Sequence, residues 1–239
     1  MGAVYADLFG SKIRAMVLAG AVDPSQQPLP GALAQATSFD SVFHSFVAAC
    51  QESPSCPWKP PAGGNLVAAF RALVAQVGQH PLAVGARTVG PAEVLTGTAA
   101  GLYDTSSWPV IYQALANAQR GDGTLILRAF DSYNELETDP NLQQANAAVN
   151  CLEGPRLSAA AVAAQAPSFA AAAPVFGTSV LDQALGCSLW PVPPTSTPHV
   201  IKAPQSPPIV VVGSTGDPLH PGPASRRPTG PRRASDPSR

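Results

Sequence analysis

Apolar residues follow two different spacings along the chain, and these spacings predict where strands and helices lie. One short apolar run lies within residues 13–22 and ends at an Asp23-Pro24 turn, and a second lies within 208–213. Runs of this length without polar alternation are typical of parallel strands covered on both faces. We therefore predict a strand in each run, with the end of a helix over residues 1–10.

The stretch between the predicted strands carries the three- and four-residue apolar spacing of amphipathic helices. We predict helices and no strand from about residue 31 to residue 151. The Ala-rich segment 157–186 contains Pro167 and Pro174, which predict a broken helix or a loop. The predicted helices cover residues 33–47, 66–77, 88–103, 108–119, 124–136 and 141–151.

A strand, a helical insertion and a second strand, in that order, predict an α/β architecture. Functional residues in open α/β sheets lie beyond the carboxyl ends of the strands. Asp217 follows the second predicted strand in a Gly-Asp-Pro turn, so it is the first candidate for a functional residue. The alternative interpretation is that Asp217 only forms the turn before Pro218.

The character of the sequence changes after Pro218. Residues 219–239 contain five Arg and one Asp and show no apolar periodicity, so we predict a disordered tail. The net charge of the chain is −1, which argues against a nucleic-acid or membrane-surface partner. No run of about 18 apolar residues is present, so the sequence predicts no membrane span.

The four cysteines, Cys50, Cys56, Cys151 and Cys187, favour disulfides. Zinc is disfavoured because the spacings are not those of metal ligands and no His lies beside them. Unpaired buried thiols are the remaining alternative. Disulfides form in oxidising compartments, whereas the first seven residues lack the basic and apolar regions of a signal peptide.

Five segments of the chain are distinctive when taken together: YADLFGSKIRAMVLAGAVDP at 5–24, LYDTSSWP at 102–109, NC at 150–151, CSLWPVPPTSTPH at 187–199 and PIVVVGSTGDP at 208–218. They resemble segments of actinobacterial tripeptidyl-aminopeptidase-like (TAP-like) hydrolases, and the resemblance covers about residues 2–218. It implies a partial α/β-hydrolase sheet, with strands of the sixth and seventh type and a large helical cap insertion. It also implies serine-nucleophile hydrolysis of peptide or ester substrates by an exported or cell-envelope protein. We expect no cofactor and no metal.

The resemblance also implies roles for particular residues. Asp217 matches the triad acid, and the cysteines match pairs that we expect to form Cys50–Cys56 and Cys151–Cys187 disulfides. The family's G-x-S-x-G nucleophile elbow does not occur in this sequence, and His220 does not occupy the position of the catalytic His. We therefore expect neither nucleophile nor base in this chain, and an inactive fragment of a serine hydrolase.

The resemblance further implies that acidic cap residues recognise the amino terminus of a peptide. The sequence does not show which of three candidates would do this: Glu93, Asp104 or Asp131. His44 is expected to be a packed helix residue, and His80 a surface residue at a helix end. Trp108 and Trp190 are expected to pack, and His199 and Ser214 carry no expected role.

The predicted organisation is a partial hydrolase core at 1–27, a helical cap at 28–186, a core strand with the acid turn at 187–218 and the tail at 219–239. The alternative function is a non-catalytic binding or interaction protein derived from the cap. We also expect the chain to be a truncated, frame-shifted form of a full-length exported hydrolase. The chain has cysteines suited to disulfides but shows no export signal, and the resemblance stops at Pro218.

Overall fold

The structure is a computed structural model that describes residues 1–62, 64–135, 138–213 and 217. The predicted tail, Ser214 and His220 lie outside these residues. The strands are β1 (Met16–Ala19), β2 (Leu82–Val84), β3 (Arg87–Val89) and β4 (Ile209–Val212). The helices are α1 (Gly2–Phe9), α2 (Pro28–Glu52), α3 (Leu66–Gln79), α4 (Pro91–Leu102), α5 (Trp108–Gln119), α6 (Thr124–Tyr133), α7 (Leu142–Asn150), α8 (Ala159–Ala163), α9 (Ala166–Ala172) and α10 (Gly177–Ser188).

The two strands predicted at the ends of the chain lie side by side. β1 and β4 are parallel, with Met16 opposite Ile209 and Ala19 opposite Val212. This confirms the predicted adjacency, although both strands are shorter than the apolar runs that contain them. Residues 28–188, which we call the helical region, lie between the two strands in sequence.

The helical region contains a β-hairpin that the sequence analysis missed. β2 and β3 pair antiparallel, so the prediction of no strand in this stretch is wrong, and so is the predicted start of a helix at residue 88. The turn uses Gly85 with φ of +59°, a left-handed conformation that glycine adopts without strain. Strands of three residues are too short to show a clear alternation, which explains why the pattern did not reveal them.

Proline positions explain where several helices begin and break. Pro91 lies in the first turn of α4, where a missing N–H costs nothing. The Ala-rich segment forms α8, α9 and α10, with Pro167 at the start of α9 and Pro174 between α9 and α10. The predicted broken helix is therefore confirmed.

The hydrophobic core lies inside the helical region and is rich in aromatic rings. Phe43 and Phe70 have ring centroids 4.8 Å apart, and Phe46 and Tyr112 have centroids 4.4 Å apart. The Tyr112 hydroxyl donates to the Phe46 carbonyl oxygen at 2.7 Å, and burial raises the pKa of Tyr112 to about 12. His44, predicted to pack among these rings, is instead exposed on the outer face of α2.

Two disulfides join the elements, with the pairing that the resemblance implied. Cys50 and Cys56 close the end of α2, with Cα atoms 5.4 Å apart. Cys151 and Cys187 join the end of α7 to the end of α10, with Cα atoms 4.9 Å apart. Both Cα separations lie within the range that a disulfide spans.

A buried carboxylate fastens α2 to the start of α10. Asp40 is 5% exposed, and its two carboxylate oxygens accept backbone N–H groups of Val175 at 3.0 Å and Phe176 at 2.8 Å. Burial raises the pKa of Asp40, and these hydrogen bonds oppose that rise only in part. The carboxylate satisfies two backbone donors that would otherwise be buried without acceptors.

Removing the Cys151–Cys187 disulfide is expected to destabilise the chain more than removing Cys50–Cys56. In the chain-entropy relation the longer loop contributes about 3–4 kcal/mol and the shorter loop about 2 kcal/mol. Denaturant unfolding of the paired Cys→Ser variants measures both differences. Equal losses in the two double variants would contradict this expectation.

The raised pKa of Asp40 predicts a specific pH dependence of stability. A carboxyl group whose pKa is higher in the folded state than in the unfolded state stabilises the folded protein at low pH. This contribution is lost as the pH rises through the folded-state pKa. We expect the free energy of unfolding, compared with that of Asp40→Asn, to fall as the pH rises above about 4, the ordinary pKa of an aspartate in an unfolded chain. Urea titrations of both proteins at each pH measure this difference, and a difference that does not change with pH refutes the expectation.

Candidate functional site

The carboxyl ends of β1 and β4 lie at one edge of the sheet because the two strands are parallel. The N–H of Gly20 donates to the Val212 carbonyl oxygen at 3.0 Å, which continues the pairing to the first residue after β1. Gly20 has φ of +60°, and the chain turns there toward Asp23. This edge is where ligands bind in open α/β sheets.

Asp217 lies beyond the carboxyl end of β4, near a pair of tyrosines. The Tyr103 and Tyr133 hydroxyl oxygens are 3.1 Å apart, and the two rings stack with centroids 5.9 Å apart. Burial raises the pKa of Tyr103, the hydrogen bond to Tyr133 adds to the rise, and the charge of Asp217 contributes further. The candidate acid is therefore within electrostatic reach of the ends of α4 and α6.

A cavity of about 770 Å³ opens at the carboxyl end of β1. Its volume is within the range of small-molecule sites. Asp217 is not among the described residues that line it. The walls come from residues 1–4, the segment from β1 to the start of α2, residues 150–154 and residues 196–199.

Backbone hydrogen bonds hold the wall at residues 150–154 beside the wall at 196–199. Thr195 N–H donates to the Leu152 carbonyl oxygen at 3.0 Å, and Gly154 N–H donates to the Ser196 carbonyl oxygen at 3.2 Å. Gly154 has φ of +78°, and a Cβ there would lie 2.9 Å from Pro28 Cγ. Only glycine fits this position without strain. The Cys151–Cys187 disulfide lies beside these hydrogen bonds.

The cavity brings together two carboxylates that the sequence analysis did not select. Asp23 accepts hydrogen bonds from the Ser25 hydroxyl at 2.7 Å and the Ser25 N–H at 2.8 Å, and these bonds lower the pKa of Asp23. Glu153 is exposed and lines the same cavity. Two features of the sequence could have pointed to these carboxylates. Asp23 precedes a proline after β1, as Asp217 does after β4, and Glu153 lies two residues after Cys151.

The three acidic residues considered from sequence are engaged elsewhere. Glu93 accepts the Gly90 N–H at 2.8 Å at the start of α4. Asp104 accepts the Ser106 hydroxyl at 2.6 Å, and its pKa is lowered mainly by that bond. Asp131 forms a salt bridge with Arg87 at 2.7 Å. None of the three lines the cavity at the end of β1.

The histidines are spread over the fold. His199 lines the cavity, and its Nδ1 lies 3.0 Å from the Thr197 carbonyl oxygen. His80 is exposed at the end of α3, as expected. Within the part of the chain that the structure describes, no group of three or more His, Cys, Asp or Glu residues is arranged to hold a metal ion. Among the same residues, no helix combines the length and the apolarity needed to cross a bilayer.

Comparison with known proteins supports the class that the fold suggests. Residues 173–229 match the α/β-hydrolase family described as TAP-like protein. Carboxylesterase B of Mycobacterium tuberculosis is 35% identical in an alignment of 226 positions that covers 89% of this chain and 42% of that protein. Serine protease Hip1 of the same species is 32% identical in an alignment of 237 positions that covers 92% of this chain and 45% of that protein.

The parallel strand pair and these matches are consistent with part of an α/β-hydrolase. The matches confirm the resemblance to TAP-like hydrolases that the sequence indicated, with the family model itself covering residues 173–229. The chain spans less than half the length of these curated relatives.

Proposed function

We propose that the chain supplies the cap and the triad acid of a serine hydrolase that acts on peptides or esters. The observation that carries this proposal is the pairing of β1 with β4, because it places Asp217 beyond the carboxyl edge of a parallel sheet. In this proposal β1 and β4 are the sixth and seventh strands of the hydrolase sheet. Residues 28–186 form its cap, and residues 1–27 and 187–218 belong to its core.

Asp217 would act on the reaction through a histidine. A triad acid holds the imidazole in the correct tautomer and stabilises the imidazolium that forms when the serine is deprotonated. We assign neither the serine nor the histidine to this chain, because it contains no G-x-S-x-G elbow. The Tyr103–Tyr133 pair beside Asp217 would form part of the cap surface that faces the acid.

The cavity at the end of β1 supports a substrate with a positively charged end. Its described lining includes the carboxylates of Asp23 and Glu153 and no Lys or Arg side chain, although Met1 and His199 also line it. Because its hydrogen bonds keep Asp23 ionised, the site favours an ammonium group such as a free peptide amino terminus. An aminopeptidase-like activity fits these charges better than an ester substrate without a cation.

The disulfides support an exported or cell-envelope location. The Cys50–Cys56 and Cys151–Cys187 bridges are stable in oxidising compartments and rare in the cytosol. The names of the relatives, carboxylesterase and serine protease, support hydrolysis of an ester or an amide bond.

A second candidate function is binding without chemistry by the helical region. Its aromatic core, including Phe43, Phe46 and Phe70, is closed by helices and includes no residue of β1 or β4. Such a region could keep its fold and present a surface to a partner without taking part in hydrolysis. This candidate predicts that Asp217 has no effect on any activity.

The isolated chain is expected to be inactive. Triad hydrolysis requires a nucleophile within hydrogen-bond reach of its base, and we assign neither group to this chain. Turnover of ester and peptidyl substrates should equal the background rate, and a fluorophosphonate probe should not label the chain. Carboxylesterase B serves as the positive control, and stoichiometric labelling of the isolated chain refutes this prediction.

The role of Asp217 is tested in a chimaera. The region of carboxylesterase B that matches this chain is replaced by residues 1–218, and ester hydrolysis is measured. We expect Asp217→Asn to lower kcat by about three to four orders of magnitude, because an amide favours the wrong tautomer of the histidine. Asp182→Asn, an exposed change on α10, is the matched control.

Two results would contradict the proposed role. One is a folded chimaera that has no hydrolase activity. The other is an Asp217→Asn chimaera that is as active as its parent, which would favour the binding function.

A further inference from the structure

Two cavities lie along α3 in the helical region. The larger has a volume of about 500 Å³ and lies between α2 and the start of α3. The smaller, of about 180 Å³, lies farther along α3 beside α4. Arg71 lines both cavities, and we call the two together the Arg71 groove. None of its lining residues lines the cavity at the end of β1.

The larger cavity carries positive charge and side-chain amides. His44 and Gln51 lie two turns apart on α2, and Asn65 and Arg71 come from the first part of α3 and its cap. No Asp or Glu belongs to its described lining. Asn65 caps α3 by accepting the Ala68 N–H at 2.8 Å, and the positive end of the helix dipole adds to the charge. The larger cavity therefore favours an anion.

The guanidinium of Arg71 is available to a ligand. It is exposed, and among the residues that the structure describes it takes part in no salt bridge. The charges of His44 and Arg71 both act on Asp40, against the rise that burial causes in the pKa of Asp40. The Asp40 carboxylate is itself buried, and it accepts the N–H groups of Val175 and Phe176. It is therefore already occupied, and two cationic side chains remain in its vicinity.

The smaller cavity is apolar apart from Arg71. Its other lining residues come from α3, from α4 and from the segment before α10, and they are Phe70, Val74, Ala75, Leu95, Pro174 and Val175. Each methylene group that moves from water into such surroundings raises affinity about fourfold. The smaller cavity therefore favours a short hydrocarbon chain, and it adjoins the anion-favouring cavity at Arg71.

We propose that the Arg71 groove binds a carboxylate that carries a short apolar chain. The carboxylate pairs with Arg71 in the larger cavity, where a guanidinium can donate two parallel hydrogen bonds. The chain fills the smaller cavity between α3 and α4. A cation fits the charge of neither cavity, and a small polar anion leaves the smaller cavity empty. Fatty acids and the carboxyl-terminal residue of a peptide both supply this chemistry.

Titration calorimetry of the full chain with hexanoate tests this inference. We expect one hexanoate to bind per chain, at least about tenfold more tightly than acetate, which lacks the chain. Hexanol lacks the charge and hexylamine reverses it, and both should also bind at least about tenfold more weakly. N-acetyl-leucine presents the same two groups as a peptide terminus does, so the tighter of hexanoate and N-acetyl-leucine identifies the source of the ligand.

Two pairs of variants test the two halves of the groove. Arg71→Gln should weaken hexanoate binding at least about fivefold, whereas Arg128→Gln, an exposed change on α6, should not. Ala75→Leu fills part of the smaller cavity and should weaken binding by a similar factor. Ala72→Leu is its control, because Ala72 is exposed on the same helix and does not line the groove. All four positions are exposed, so the melting temperatures should stay unchanged.

Four results would overturn the inference. They are no saturable binding of hexanoate up to about 10 mM, hexanol binding as tightly as hexanoate, Arg71→Gln binding like Arg128→Gln, and Ala75→Leu binding like Ala72→Leu. The measurement records binding alone, and the Arg71 groove is separate from the candidate site. Its outcome therefore does not depend on whether the chain takes part in hydrolysis.

Discussion

The parallel pairing of β1 with β4 is the contact on which the arrangement of the candidate site depends. It joins the two ends of the helical region, so that the segment after β1 and the acid turn after β4 lie at one edge. The pairing thereby helps to set the position of Asp217 relative to the helices that precede it. Closing so long a loop costs conformational entropy, and other links within the helical region reduce the freedom that the pairing must remove.

Those links act at points where helices meet. The Cys151–Cys187 disulfide closes the segment that contains α8, α9 and α10, and Asp40 fastens α2 to the start of α10 through two backbone N–H groups. The aromatic core then forms within the helical region. The helices are therefore well packed although side chains of β1 and β4 remain exposed to solvent. The packing of the helical region does not depend on burial of the two strands.

The cavity is built from segments that are far apart in sequence and are held mostly by backbone hydrogen bonds. Asp23 lies in the turn after β1, whereas Glu153 follows the end of α7. The Thr195 N–H donates to the Leu152 carbonyl oxygen, which holds the wall at 150–154 beside the wall at 196–199, and the His199 N–H donates to the Pro24 carbonyl oxygen at 3.1 Å, which joins the latter wall to the segment of Asp23. The three acidic residues that the sequence suggested form hydrogen bonds or a salt bridge with nearby groups instead. Glu93 and Asp104 accept N–H groups of nearby turns, and Asp131 pairs with Arg87.

The sequence by itself determined the features that depend on local spacing. The β-branched run at β4, the apolar spacing of α2 and the prolines around α9 each predicted an element that the structure contains, because these signals act within a few residues. The hairpin of β2 and β3 was missed because its strands carry too few residues for a period. Which carboxylates line the cavity, and which valines stay exposed, was decided only by the tertiary structure. The register of β1 on β4 and the hydrogen bond from the Thr195 N–H to the Leu152 carbonyl oxygen join segments whose separation in sequence carries no periodic signal.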